Sequence, residues 1–198
     1  PYPGSSYSSP PAAAEPTSDT VMTNAQVLAG AGYAVLIPSL PRPADQGEPS
    51  KDLADQVLTI VDIAAMGGEF DPDRLGLWGH SFGAHAALSV ATQTSRFCAI
   101  VAASGIYDLA SSWGTVGPSQ SVLPEDGASF ASRGGWVETG QAGMGAPPWG
   151  DPDRYIRNSP YFWADRITAP ILLITADFDY SSPEQSEAMF AALHRQAK

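Results

Sequence analysis

Residues 75–86 read Leu-Gly-Leu-Trp-Gly-His-Ser-Phe-Gly-Ala-His-Ala, an apolar run that enters Gly79-His80-Ser81-Phe82-Gly83 and leaves it into an alanine-rich stretch. A serine flanked by glycines two residues to either side, on the turn from a strand into a helix, has its hydroxyl lifted clear of the sheet. The turn closes only if neighbouring positions are nearly free of side chains, which is what the glycines provide. The hydroxyl then stands at a helix N-terminus, where unpaired N–H groups and the helix dipole favour developing negative charge. Ser81 is accordingly the candidate nucleophile for acyl transfer. Phe82, the next residue, offers one backbone N–H to an oxyanion.

A serine hydroxyl is a weak nucleophile and requires a base, an acid that orients the base, and an oxyanion hole. On this kind of turn the partners follow in the order serine, acid, histidine. Ile171-Leu-Leu-Ile-Thr-Ala-Asp-Phe-Asp-Tyr supplies two candidate acids, Asp177 and Asp179, both at the C-terminal end of a strand, where open α/β sheets bind ligands. Of the three histidines, His80 is the variable residue inside the turn and is expected to point away from the reacting face. His85 lies one helical turn past Ser81, where a structural role is expected. His194 sits on an amphipathic helix with Met189, Phe190 and Leu193.

These side chains need a scaffold, and the hydrophobic pattern describes one. Asp19 is placed to cap a helix running to about Ala29, with Val21, Met22, Ala25, Leu28 and Ala29 on its apolar face. Gly30 and Gly32 end it, and Tyr33–Ile37 reads as a short buried strand. After a proline-rich loop, Ser50 caps a second helix carrying Leu53, Val57, Ile60, Val61 and Ala64 at helical spacing. Strands follow at Arg74–Trp78, Cys98–Ala103 and Ile171–Thr175, with a helix from the serine turn to about Thr94. Strand and helix alternating through short loops predict an α/β fold, a doubly wound, mostly parallel sheet with helices on both faces. Between about residues 108 and 169 the periodicity fails, and a loop or helical insertion is expected there.

Composition narrows the field. The 198 residues suit a single domain, with 43% hydrophobic and 16% charged residues. Acidic residues outnumber basic ones 21 to 10, for a net charge of -11, which disfavours nucleic acid as a partner. No His/Cys cluster has zinc spacing, no dinucleotide fingerprint is present, and neither a metal nor a cofactor is expected. The longest apolar stretch, Val27–Pro38, is too short and too broken to span a membrane. The lone cysteine, Cys98, lies in an apolar run and reads as a buried thiol.

Gly79–Gly83, the Asp151-Pro-Asp-Arg-Tyr…Asn158-Ser-Pro160 run and Pro170-Ile-Leu-Leu-Ile…Asp179…Gln185-Ser-Glu together resemble the catalytic domain of the prolyl oligopeptidase family of serine peptidases, especially its acylaminoacyl-peptidase and dipeptidyl-peptidase members. The turn at Ser81 is common to all α/β-hydrolases; the 151–187 region is more discriminating. The resemblance covers nearly the whole chain and implies an α/β-hydrolase domain over residues 1–198, excerpted from a longer polypeptide. It implies a peptidase of short peptides working through a Ser-Asp-His triad and an acyl-enzyme. Counting from Thr175-Ala176, where the family has His-Gly, places the acid at Asp179, with Asp177 as the alternative. Ser181-Ser182-Pro183 departs from the family's valine before proline.

By the same resemblance the triad histidine lies beyond Lys198. Pro1-Tyr2-Pro3-Gly4 resembles the tail of a His-Gly-Gly-Pro-like loop that carries the second oxyanion donor. The segment alone is then expected to be inactive, and the resemblance allows an N-terminal propeller domain ahead of Pro1. Family members read a peptide through an apolar or aromatic pocket beside the serine, for which Phe82, Ile106, Tyr107, Trp113 and the Trp149 region are the candidates. Arg42 and Arg154 are of the type that grips a carboxylate, although an isolated surface arginine is more often merely solvated. A carboxylesterase of the same fold and a non-catalytic scaffold are the alternative readings.

Overall fold

The computed structural model describes residues 1–8, 25–42, 47–115 and 129–197, of which 129–132 by backbone alone. Three short apolar runs carry the sheet: β1 (Leu75–His80), β2 (Phe97–Ala103) and β3 (Ile171–Ile174). They lie side by side in the order β1-β2-β3, and both pairings are parallel. Parallel neighbours cannot be joined by a hairpin, so each connection must cross over. Helix Phe82–Ala91 makes the first crossover. The second runs through Leu109–Trp113, Ser129–Glu138, Pro152–Arg157 and a 3-10 turn at Pro160–Arg166.

In chain order the helices are α1 (Ala25–Gly30), α2 (Leu53–Ala65), α3 (Phe82–Ala91), α4 (Leu109–Trp113), α5 (Ser129–Glu138), α6 (Pro152–Arg157) and α7 (Pro183–Arg195). Every residue of α3 is buried, so it is apolar on all sides rather than amphipathic. Its alanines let it lie directly on β1 and β2, while α2 packs against its flank and α7 against β3 and the 3-10 turn. Leu75 and Leu77 of β1, Ile100 of β2, Leu88 of α3 and Met189 of α7 meet in one core. A second core, under Phe82, joins Ile106, Leu109, Val137, Met144 and Tyr155.

The structure corrects several expectations. Tyr33–Ile37 forms no strand among the described residues, and Tyr33 is 66% exposed. A short apolar run becomes a strand only where a neighbour supplies the ladder. Helix α1 is described from Ala25 and buries none of its residues; Asp19, Val21 and Met22 lie outside the described residues. Ser50 caps nothing: α2 begins after Asp52, and Ser50 is buried in a polar network described below. Cys98 is exposed, because a register shift at Leu75/Gly76 turns it outward, and its thiol donates to the Leu75 carbonyl at 3.2 Å. The expected α/β fold is present among the described residues as a small parallel sheet with helices packed on it, and Gly76, Ala99 and Leu172 of its strands are exposed.

Candidate active site

Three adjacent parallel strands end at one edge, and each end delivers one polar side chain. β1 delivers Ser81, β2 delivers Ser104, and the loop after β3 delivers Asp179. Ser81 has φ 58 and ψ −125, a backbone conformation that side chains disfavour and that costs about 1–3 kcal/mol. Its N–H donates to the Ala103 carbonyl at 2.9 Å, which pins the turn to the end of β2. Both flanking glycines are required by contact. A Cβ on Gly79 would stand 2.0 Å from the Gly83 carbonyl oxygen, and one on Gly83 would stand 2.8 Å from the Pro1 carbonyl oxygen. Ala84 and His85 donate back to the Ser81 carbonyl, so α3 starts at once. Phe82 N–H belongs to that first turn, whose donors have no intrahelical acceptor.

Asp179 is 8% exposed and is held from two directions. Ser104 Oγ donates to its Oδ2 at 2.6 Å, and Ser181 N–H donates to its Oδ1 at 3.1 Å. Ser104 is itself at positive φ, 51, with its N–H on the Ile174 carbonyl at 2.8 Å. Arg133 donates to the Tyr180 carbonyl and feels the Asp179 carboxylate, which partly offsets the lowering of its pKa by burial. Asp177, two residues earlier, is exposed. The Tyr180 hydroxyl lies 3.2 Å from His80 Nε2 and also bonds to Ser81 and Ser104. Burial raises the pKa of this phenol, and the Ser81 bond opposes the rise. Sequence reasoning missed Ser104, Arg133 and Tyr180. Only Ser104 carried a usable signal, as a small polar residue directly after an apolar strand.

None of the three histidines bridges Ser81 and Asp179. His85 is fully buried, with Nδ1 2.8 Å from the Ile106 carbonyl and Nε2 3.3 Å from Ser50 Oγ. A carbonyl only accepts, so Nδ1 carries the proton and Nε2 receives the Ser50 hydroxyl. Burial lowers the His85 pKa to about 4, against the raising effect of the Ile106 bond. The imidazole is thus a neutral strut, tied through Ser50 to Ser89 at 2.9 Å and to Asn158, whose Oδ1 receives the Ser50 N–H at 3.0 Å. His80 is exposed beside Tyr180, so it stands on the same rim as Ser81 rather than away from it. His194 stacks on Phe190 on the exposed side of α7.

Phe82, Ile106 and Tyr107 are almost completely buried. Their side chains pack the two cores and present no free surface. The Phe82 ring stacks on His85 at 5.1 Å, with Trp136 edge-on at 5.7 Å. Trp113 is half-buried, donating to Glu138 Oε1 at 2.7 Å and meeting the exposed Trp149 edge-on at 4.9 Å. Among the described residues, no group of three His, Cys, Asp or Glu side chains is placed to hold a metal, and no helix is long and apolar enough to cross a membrane.

The sequence matches the prolyl oligopeptidase family over residues 19–120, just over half of the chain. It is 27% identical over 172 residues to the probable chloroplastic glutamyl endopeptidase of Oryza sativa subsp. japonica, an alignment covering 82% of this chain and 16% of the rice protein. The structure resembles the acylaminoacyl peptidase of Pyrococcus horikoshii with a TM-score of 0.59 at 23% identity, over 77% of this chain and 22% of that one. It also resembles a puromycin-hydrolysing peptidase of Mycobacterium tuberculosis with a TM-score of 0.58 at 26% identity, over 75% of this chain and 20% of that one. The fold is that of the α/β-hydrolases, and the chain spans about a fifth of the length of these relatives.

Proposed function

The chain belongs to the prolyl oligopeptidase family, and from that premise we propose that it carries the nucleophile and acid of a serine peptidase acting on short peptides. The observation that supports this most is the alignment of strained Ser81 with buried Asp179 at one edge of a parallel sheet, joined by Ser104 and Tyr180. In the proposed reaction Ser81 Oγ bonds to the scissile carbonyl carbon while its proton passes to a base. The carbonyl π electrons move onto oxygen, where Phe82 N–H receives the charge. Collapse expels the amine, which takes the proton from the base, and water then releases the acid from the acyl-enzyme. Asp179 orients the base. His80, His85 and His194 do not stand where that base is needed, so it is assigned to a histidine outside these 198 residues.

The test is fluorophosphonate labelling of the full-length protein beside Ser81→Ala. Labelling that vanishes in the variant supports the proposal; absence of Ser81-dependent labelling removes it. The lack of a bridging histidine among the described residues favours a second reading, a non-catalytic α/β-hydrolase scaffold, and unlabelled full-length protein would favour that reading. Comparing an aminoacyl nitroanilide with a nitrophenyl ester then separates a peptidase from a carboxylesterase, since the triad chemistry serves both.

A further inference from the structure

Helix α3 reads Phe-Gly-Ala-His-Ala-Ala-Leu-Ser-Val-Ala, and all of these residues are buried. A histidine is costly in such a place unless both ring nitrogens find partners. Both do, and the partners come from opposite directions in the sequence. Nδ1–H donates to the carbonyl of Ile106, 21 residues downstream, at 2.8 Å. Nε2 accepts from the hydroxyl of Ser50, 35 residues upstream, at 3.3 Å. Ser50 has a single hydroxyl hydrogen, so Ser89, one turn beyond His85, donates to Ser50 at 2.9 Å. An aliphatic side chain needs none of these partners to pack.

The bonds matter through what they join. His85 N–H donates to the Ser81 carbonyl at 3.3 Å, and the imidazole stacks on the Phe82 ring with centroids 5.1 Å and planes 14° apart. Trp136 and Tyr2 meet the same ring edge-on at 5.7 and 6.3 Å. His85 therefore holds Ser81 by its main chain and Phe82 by its side chain. At the other end, Ile106 completes a three-residue strap. Ser104 Oγ donates to Asp179 at 2.6 Å, the Gly105 carbonyl accepts from Ser181 Oγ at 2.6 Å, and the Ile106 carbonyl accepts from His85. Residues 104 and 105 are thus tied to the loop carrying Asp179, and residue 106 to the turn carrying Ser81. Side chains as well as the strand ladder set the spacing between the two halves of the site.

We propose that His85 is a positioning residue for the reaction at Ser81: it holds the Phe82 N–H against the attacked carbonyl oxygen and keeps the serine turn in register with Asp179. This rests on the peptidase reading above. His85 touches no substrate and acts through Phe82 and Ile106. An oxyanion donor is effective only at about 2.7–3.1 Å from the oxygen it serves. A turn released from its anchor therefore loses rate without losing substrate.

The experiment uses the full-length protein, a dipeptidyl nitroanilide as substrate and two probes built on the same dipeptide. The aldehyde bonds to Ser81 and places an oxyanion beside Phe82 N–H, whereas the corresponding alcohol binds without reacting. His85→Phe keeps a ring to stack on Phe82 and removes both polar ties. It should lower kcat about tenfold and aldehyde affinity by a similar factor, with KM and alcohol affinity unchanged within about twofold. An unchanged kcat overturns the proposal. So does a loss shared equally by aldehyde and alcohol, which marks a distorted binding surface, or a loss that disappears once each rate is divided by the folded fraction. If His85→Phe does not fold, Ser50→Ala decides. That variant removes the Nε2 donor, spares the Ile106 bond, and should show the same pattern at about threefold; an unchanged kcat there overturns the proposal. Failure of the underlying peptidase reading would look different: no Ser81-dependent labelling and no nitroanilide hydrolysis by the wild-type protein.

Discussion

The three strand ends and the segment between β2 and β3 are built on different principles. Ser81, Ser104 and Asp179 owe their positions to backbone. Parallel pairing fixes the register of β1 on β2 and β2 on β3, so three side chains separated in sequence emerge at one edge. Two of them sit on strained or tightly bonded turns that the ladder holds in place. In the described residues between Ile106 and Pro170, side chains do much of the positioning instead. Leu109 N–H rests on Ser159 Oγ at 2.9 Å, the Tyr107 and Asp108 N–H groups share the Gln185 side-chain oxygen at 2.9 Å each, and Arg42 and Arg154 hold the 141–143 carbonyls. The first region suits chemistry that must not vary, the second suits a surface that can change its ligand without disturbing the first.

That contrast is broken most severely at Ser81, the proposed nucleophile. Ser81→Ala in the full-length protein should lower kcat by about 10⁶-fold with little change in unfolding temperature, because the methyl group keeps the turn while removing the attacking atom. Retained hydrolysis above a thousandth of wild type would place the nucleophile elsewhere. Next comes Asp179, the proposed acid. Asp179→Asn should lower kcat by about 10⁴-fold, since an amide cannot stabilise a charged base. Ser104→Ala should cost about tenfold, acting through Asp179, and its effect should largely disappear in an Asp179→Asn background if the two serve one function. Additive losses in the double variant would separate them.

A smaller effect tests the strut beneath the turn. His85 is held neutral with a pKa near 4, against 6.5 for an unburied imidazole. A group whose folded pKa is depressed contributes stability that is complete above the unfolded value and is lost as pH falls towards the folded one. Between pH 6.5 and 4 the protein should therefore lose up to about 3 kcal/mol through His85. Urea unfolding at pH 7.5, 5.5 and 4.5 measures this, and His85→Gln should flatten the slope between the first two. An unchanged slope would mean that the buried network takes up the proton without opening.

The same contrast explains what could be read from the sequence. The serine turn was legible because its glycines, its apolar strand and its alanine helix are all local. β2 and β3 were legible for the same reason, within a residue or two at their ends. Tyr33–Ile37 was misread because an isolated apolar run does not say whether a partner strand lies beside it. Ser50 carried the right residue type for a cap, but its hydroxyl is consumed by His85, Ser89 and Asn158, contacts that span up to 108 residues. The arginine pair was visible only as two separate residues, since their meeting depends on the 141–143 backbone, which has no periodicity to announce it.

The smallest predicted effect concerns Asp177, and its smallness is what makes it informative. Asp177 and Asp179 share a loop, a charge and a strand end, and the sequence offers both. They differ in what surrounds them: Asp179 is buried under two hydrogen bonds, whereas Asp177 is exposed. A carboxylate orients a base only if it is itself immobilised, and an exposed one at a loop tip is not. Asp177→Asn should accordingly change kcat/KM by no more than about twofold, the range of a surface substitution. If instead it matched the loss at Asp179, the loop would have to turn over when the base docks. The immobilising bonds from Ser104 and Ser181 would then belong to a resting arrangement rather than to the working one.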